Sequence, residues 1–334
     1  MNYDSVADLK ADALFRAGEP TDGSSDFESV VVTYLNAIQQ GLLIGGPFGT
    51  RPEAGLPALP IVDWWWARKL AVLSTDAAIT TGTVTLTKHS TTVTFSDAPT
   101  VDVTDWFLVV GTRIVVPQIV AHVAMSDTAT LDAPWPDVTT TETYVLANLR
   151  VPLPADWLRP VGAGRVTVAD PPAVSWLRIV DWSTLEAMAP RASLAEGVPR
   201  VAALMDETTL EVRAWTESPA RLELPYLALP ADLATGGTPV LPRHHRRLLA
   251  VGAALLILLD KADDKATALV SEFRGLHAAL VQEHTHRIRR LSPAFGQIHP
   301  RPGARASRLV TASGIVLDEA AFGQGPFGDG VFGS

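Results

Sequence analysis

One stretch, residues 241–291, constrains the fold more than any other because it predicts two long helices joined by a charged turn. The uncharged run at residues 248–259 leaves almost no polar face, so the first helix must be enclosed by protein on most sides. This run is too short to cross a membrane, which takes about 20 apolar residues. The sequence therefore predicts a buried core helix.

The second helix of this stretch is amphipathic, with apolar positions at three- and four-residue steps from Ala266 to Ile288. Two more amphipathic helices are predicted in residues 3–43, and Asp4 or Ser5 is the expected N-cap of the first. Their apolar faces suit the C-terminal pair. We therefore expect a helical bundle built from both ends of the chain.

The composition changes near Thr75. Residues 80–146 are rich in Thr and Val and alternate in short segments between turns, which is typical of several short strands. This pattern favours a small β-barrel or β-sandwich inserted in a helical host. A second, weaker β region is predicted between Val174 and Leu227.

The predicted fold class is therefore α+β, a helical bundle formed by the N- and C-terminal helices, with an inserted small β-barrel or sandwich module and an extended C-terminal arm. Residues 1–74 and 151–292 are expected to form a discontinuous helical core with a small β region. Residues 75–150 are the inserted β module, and residues 293–334 are the arm. A chain of 334 residues exceeds the comfortable size of one core, which supports this division.

The arm differs in composition from the rest of the chain. Acidic residues are absent between Glu283 and Asp318, and a glycine-rich segment with Phe-Gly repeats follows. Such a segment cannot form its own core, so it is either a solvated end or an arm that becomes ordered on a partner. The candidate partner-contact residues are Arg287, Arg289, Arg290, Arg301, Arg305, Arg308, Phe322, Phe327 and Phe332.

Two other features have both a structural and a functional interpretation. The triplet at residues 64–66, three tryptophans, cannot all face one core, so at least one indole meets a neighbour or the solvent edge. The basic helix start at residues 243–247 clusters cations where the helix dipole is already positive. It is either a solvated turn or a surface compensated by an acidic partner or nucleic acid.

Sequence motifs of catalysis are not found. The chain has no cysteine, and it contains no P-loop, no G-x-S-x-G elbow and no H-E-x-x-H motif. His284 and His286 stand beside Glu283, but their two-residue spacing points them to different faces of a helix. We predict that the protein is not an enzyme and has no catalytic residue, no cofactor and no metal.

The residues also carry a family resemblance. Residues 9–20 (LKADALFRAGEP), followed by residues 22–27 (DGSSDF), resemble the N-terminus of tailed-bacteriophage head-to-tail adaptor proteins. The segments TGTVT, STTV and TATLDAP, which begin at Thr81, Ser90 and Thr128, are similar to small β modules of phage neck and tail proteins. A third match runs from LPY at Leu224, through the LP pair at Leu241, to the DKAD that begins at Asp260. Together these matches cover most of the chain.

The resemblance implies a structural virion protein located in the neck, between capsid vertex and tail, after assembly in the host cytoplasm. Copies of the chain would form a ring, dodecameric in that family, that docks on the portal protein and continues the DNA channel toward the tail. The partners implied are other copies, the portal protein, a downstream neck or tail protein, and double-stranded DNA that passes without sequence recognition, with no membrane. The basic neck between Glu283 and Asp318 and the tail beyond Arg301 are the implied portal contacts. A net charge of −9 suits a wall that DNA slides past.

Two alternatives remain open at this point. A tail-terminator or tail-tube component would attach on the tail side instead. A virion protein that binds carbohydrate or another surface would use the β module, with Trp106 and Trp135 as stacking platforms.

Overall fold

The computed structural model describes residues 3–45, 59, 61–111, 116–170, 172–191, 194–234, 238–291, 309–310 and 316–317. The chain divides into two compact units. The helical unit comprises Met1–Ala67 with Leu229–Ser334, and the β unit comprises Arg68–Ala228.

The predicted fold class is wrong, because the described chain is mostly β. Two large curled sheets contain fourteen strands, whereas the described residues contain five α-helices. The helices are α1 (Val6–Arg16), α2 (Val31–Ile44), α3 (Trp182–Met188), α4 (Arg247–Asp260) and α5 (Ala266–Leu291). The strands are β1 (Arg68–Ser74), β2 (Thr83–Leu86), β3 (Thr92–Phe95), β4 (Phe107–Val110), β5 (Ile119–His122), β6 (Thr128–Leu131), β7 (Thr140–Ala147), β8 (Arg150–Pro152), β9 (Trp157–Pro160), β10 (Gly164–Val168), β11 (Ala173–Val180), β12 (Val201–Leu204), β13 (Thr209–Val212) and β14 (Ala220–Ala228). A two-stranded pair, β15 (Leu309–Val310) and β16 (Val316–Leu317), follows.

In the helical unit, α4 is enclosed as its uncharged sequence predicts. Residues 248–258 are all buried, and α1, α2 and α5 pack around the helix. Each buried leucine there stabilises the unit by roughly 1.5–3 kcal/mol. Gly252 permits the closest approach, since a Cβ atom at this position would lie 2.9 Å from Ile38 Cδ1 and 3.0 Å from Phe273 Cε2.

The structure confirms Ser5 as the N-cap of α1. The Ser5 hydroxyl accepts a hydrogen bond from the Asp8 amide, and the Asp8 carboxylate accepts one from the Ser5 amide. This reciprocal capping satisfies two backbone donors at the start of α1. The helix therefore begins where the chain leaves Ser5.

A six-stranded sheet forms a near-barrel in the β unit, with strand order β4-β7-β2-β3-β6-β5. The two terminal strands come together because the Leu108 amide donates to Pro117 O at 2.9 Å and the Ile119 amide donates to Trp106 O at 2.8 Å. The alternating apolar side chains point inward and form one core. Trp106 and Trp135 belong to that core.

The second sheet has eight strands and forms a half-barrel. Its order is β1-β14-β10-β11-β12-β13-β8, and β9 also pairs with β14. The weak β region expected from the sequence is thus part of a large sheet with its own buried core, which extends from Val151 to Ala228 and includes Ala71. This sheet is the main reason why the predicted class fails.

An ion-pair network centred on buried groups links β13 to the segment around α3. Glu211 is fully buried on β13, with Arg213 Nε 3.0 Å from Oε1, and Arg191 Nη2 donates to Oε2 at 3.1 Å. Arg213 also pairs with Glu186 on α3. Both guanidinium groups lie near the ring of Trp182, with the Arg213 Cζ atom 5.3 Å and the Arg191 Cζ atom 5.4 Å from its centroid. The segment around α3 is therefore fastened to β13 by charge.

Candidate functional site

The tryptophan triplet separates into one core residue and two half-buried ones. Trp64 is fully buried in the helical unit, and its indole Nε1 donates to Leu42 O at 2.5 Å. Its ring meets two histidines of α5 edge-on, with centroid distances of 6.2 Å to His277 and 5.2 Å to His284. Trp65 and Trp66 are half-buried. The expectation that the three indoles do not share one core is confirmed.

Arg287, a predicted contact residue, lies on α5 above the ring of Trp65. Its guanidinium carbon is 3.9 Å from the ring centroid, and its Nε donates to Glu283 Oε1 at 2.8 Å. A cation over an aromatic face is worth about 0.5–1 kcal/mol at an exposed site. The side chain is 46% exposed, so one side of the guanidinium is fixed and the other remains open to solvent.

The other oxygen of the same carboxylate meets two imidazoles. His244 Nε2 is 2.6 Å and His245 Nε2 is 2.7 Å from Glu283 Oε2. The hydrogen bond from His244, followed by those from His245 and Arg287, lowers the pKa of Glu283 to about 2, because all three favour the ionised carboxylate. We call these five residues, Trp65, His244, His245, Glu283 and Arg287, the Glu283 cluster.

The remaining arginines of the basic helix start are compensated within the chain. Arg243 Nε lies 2.7 Å from Asp4 Oδ1, and Arg247 Nη2 donates to Glu272 Oε1 at 2.5 Å. Arg246 donates to backbone carbonyl oxygens, including that of Leu241 at 2.9 Å. Arg243 and Arg247 are therefore neutralised by carboxylates of Asp4 and of α5, whereas Arg246 is held by neutral carbonyl oxygens.

Only some of the nine predicted partner-contact residues lie in the part of the chain that the structure describes. Arg287 belongs to the Glu283 cluster, and Arg289 and Arg290 lie on α5 with side chains outside the described part. The other predicted residues lie outside the described residues: Arg301, Arg305, Arg308, Phe322, Phe327 and Phe332. Their role in partner contact stays a prediction.

His284 and His286, the two histidines considered as a metal site in the sequence, lie on different faces of α5. His284 is buried against Trp64, whereas His286 is exposed. Sequence reasoning missed the pairing of Glu283 with His244 and His245, which are 39 and 38 positions away. The available signal was the helical hairpin itself, since antiparallel α4 and α5 bring the start of one helix near the end of the other.

The protein is therefore mostly β, with a helical unit in which charged residues at the start of α4 pair with residues of α5. None of the described helices combines the length and apolar character of a membrane span. Comparison of the sequence with models of known protein families and with curated proteins gives no match.

Proposed function

We propose that this chain is a structural head-to-tail adaptor of a tailed bacteriophage, which forms a ring, docks on the portal protein and continues the DNA channel toward the tail. The sequence resemblance supports this proposal. The structural observation that carries it is a row of four side chains on the outer face of the half-barrel, of which two are exposed and apolar.

The strand registers of the half-barrel place this row. Val72 of β1 pairs with Glu223 of β14, Glu223 pairs with Arg165 of β10, and Arg165 pairs with Trp176 of β11. Val72 is 53% exposed and Trp176 is 70% exposed. Strands lie about 4.8 Å apart, so the row spans about 14 Å of one sheet face.

Further apolar residues flank the row. Leu70 is 60% exposed on β1, and Val174 is 61% exposed on β11, each two residues from a member of the row. We call Leu70, Val72, Arg165, Val174, Trp176 and Glu223 the outer-face patch. Clusters of exposed large apolar side chains on a soluble protein mark contact surfaces, and tryptophan and arginine are enriched in them.

A second copy of this chain is the occupant that we assign to the outer-face patch. A closed ring needs two different surfaces on each subunit, repeated around the axis, and one of them can be a sheet face. The patch carries both signs of charge, Arg165 and Glu223, which suits a protein surface and does not suit a phosphate backbone. Ring formation does not require a helical bundle, so the change of fold class leaves this proposal open.

In this proposal the arm at residues 293–334 contacts the portal. α5 ends at Leu291 and leads directly into the segment with Arg301, Arg305 and Arg308. Arg287, held by Glu283 and Trp65, lies on the last part of α5. A fixed helix end gives an extended arm a defined starting point.

The carbohydrate-binding alternative gains no support from the β unit. Trp106 is 7% exposed and Trp135 is 1% exposed, and both lie in the near-barrel core. The Trp135 indole Nε1 is also engaged, because it donates to Val138 O at 3.1 Å. Neither ring offers a stacking face to a sugar.

The test is assembly of the purified chain, alone and with portal rings, measured by native mass spectrometry and electron microscopy. Trp176→Arg should weaken the contact between subunits. Loss of a central tryptophan from an interface lowers the free energy of association by about 2 kcal/mol or more, which is over tenfold in subunit affinity. Val123→Arg is the matched control, since Val123 is 74% exposed on the near-barrel. A chain that forms no ring with or without portal, or a ring that is unaffected by Trp176→Arg, would refute the assigned interface.

Deleting residues 301–334 tests the arm separately. We expect the truncated chain to keep its circular dichroism spectrum and to lose portal binding. Unchanged binding to portal rings would contradict the adaptor proposal.

A further inference from the structure

We propose that His244, His245 and Glu283 form a binding site for a divalent transition metal ion, of which Zn²⁺ is the representative. Its metal-free form is a hydrogen-bonded group that joins the start of α4 to α5. This inference rests on the geometry of the helical unit and does not depend on the adaptor proposal.

The three donor groups already converge. Both imidazole Nε2 atoms point at Glu283 Oε2, at 2.6 Å from His244 and 2.7 Å from His245. One ligand atom from each residue lies within 4.8 Å of the others. Zinc binds imidazole nitrogen at about 2.0–2.1 Å and carboxylate oxygen at about 2.0–2.2 Å, so tetrahedral donors lie roughly 3.4 Å apart. The ion replaces the two Nε2–H···Oε2 hydrogen bonds: each imidazole carries its proton on Nδ1 instead, so that Nε2 presents a lone pair, and a small outward movement of the three side chains makes room.

The carboxylate is also oriented from its other side. Arg287 Nε donates to Glu283 Oε1 at 2.8 Å, and its guanidinium rests over the ring of Trp65. Outer contacts of this kind fix the direction of a metal-binding carboxylate and leave the second oxygen for the ion. Arg287 and Trp65 are therefore positioning residues, while His244, His245 and Glu283 supply the ligands.

The surrounding charges permit a cation. Four arginines lie on or near the site, but Arg243 is paired with Asp4, Arg247 with Glu272, and Arg287 with Glu283 itself. Arg246 is held by backbone carbonyl oxygens. Three of the four positive charges are thus paired with carboxylates.

The ligand set indicates the class of metal. Two imidazoles and one carboxylate suit zinc and its neighbours among the transition metals, whereas calcium and magnesium take oxygen ligands. Three protein ligands leave one coordination position of a tetrahedral ion for water or for a side chain of another molecule. His244 is 57% exposed, so water has access to the site.

Binding would fasten α4 to α5. The ligands come from the short 3₁₀ turn Arg243–His245 and from α5, so the ion bridges segments that are 38 positions apart. A ligand that binds only the folded state raises the stability of that state. We therefore expect Zn²⁺ to raise the melting temperature of the helical unit.

The test is calorimetric titration of the full chain with ZnCl₂ near neutral pH after removal of metals with a chelator, together with metal analysis after gel filtration. We expect one Zn²⁺ per chain, and at least about tenfold weaker binding in His244→Ala and in Glu283→Gln. His286→Ala is the matched control, because His286 is exposed on α5, the helix that carries Glu283, and does not belong to the cluster. That variant should bind as the parent chain does.

A second measurement needs no variant and so does not depend on whether a variant folds. Histidine modification with diethyl pyrocarbonate, followed by peptide mass spectrometry, should show that Zn²⁺ protects His244 and His245 and leaves His89 and His286 reactive. Absence of Zn²⁺ binding to the parent chain would overturn the proposal. So would binding without protection of His244 and His245, or equal loss of binding in His286→Ala. Failure here leaves ring assembly unaffected, which separates this inference from the adaptor proposal.

Discussion

Replacing Glu211 by glutamine should destabilise the half-barrel strongly. The substitution keeps the volume of the side chain and removes its charge, leaving Arg213 buried at 1% side-chain exposure beside a neutral amide. Breaking a buried ion pair by neutralising one partner costs about 3–5 kcal/mol, because the other charge stays desolvated. Glu186 still pairs with Arg213, so we expect the lower end, about 3 kcal/mol. This corresponds to about a hundredfold increase in local opening.

The assay is native-state hydrogen exchange, read on peptides of β12 and β13 for Glu211→Gln and on peptides of β14 for the control, since exchange reports opening of the region that contains the substitution. Glu223→Gln is the control, because Glu223 pairs with Arg221 at 2.9 Å and Arg221 is 61% exposed. A surface pair of this kind is worth about 0–1 kcal/mol. If Glu211→Gln accelerated exchange no more than Glu223→Gln does, the claim that charge fastens the α3 segment to β13 would be refuted.

Two further predictions concern the helical unit. Gly252→Leu should lower the free energy of unfolding by about 1–3 kcal/mol in a thermal unfolding assay, because any added Cβ already meets Ile38 and Phe273 at 3.0 Å or less. Gly275 has open space around it, so Gly275→Ala should raise the melting temperature in the same assay. Burial lowers the pKa of His277 below its usual 6.5, so the unfolded state binds the proton more readily and stability falls as pH drops through and below about 6.5. His277→Leu should remove that part of the pH dependence of the urea midpoint, and an unchanged slope would show that His277 does not titrate in this way.

The sequence predicts those elements whose apolar pattern and caps lie within one continuous segment of the chain. The uncharged run at residues 248–259 indicates an enclosed helix, and α4 is enclosed. Ser5 with Asp8 is a local cap, readable from spacing alone. Helices of this kind are predictable because their hydrogen bonds and their apolar stripe lie within a few turns of one segment.

The half-barrel is not predictable in the same way. β1 has only one buried residue, Ala71, in a seven-residue strand, so it shows no clear apolar alternation. Its hydrogen bonds go to β14, where Arg68 faces Leu227, and no local pattern encodes a partner so distant in sequence. β8 and β10 have three and five residues, too few for periodicity to show. Short strands of this kind give only a weak apolar alternation in the sequence, although together they form an eight-stranded sheet.

The Glu283 cluster illustrates a related limit. The basic helix start and the histidine-rich end of α5 are both visible in sequence, but which imidazole meets which carboxylate depends on how far the turn between α4 and α5 lets the helices slide. His244 and His245 reach Glu283 at 2.6 and 2.7 Å, whereas the neighbouring His284 faces Trp64. One residue of difference in that turn would change the partners.

The pairing of β1 with β14 along its whole length also determines how the chain can be rearranged. Because Arg68 and Leu227 are direct partners, the entry and exit of the β unit lie side by side. A segment whose ends meet tolerates circular permutation. A variant in which a short linker joins Arg68 to Leu227 and the chain is reopened in an exposed loop of the β unit should therefore keep both sheets.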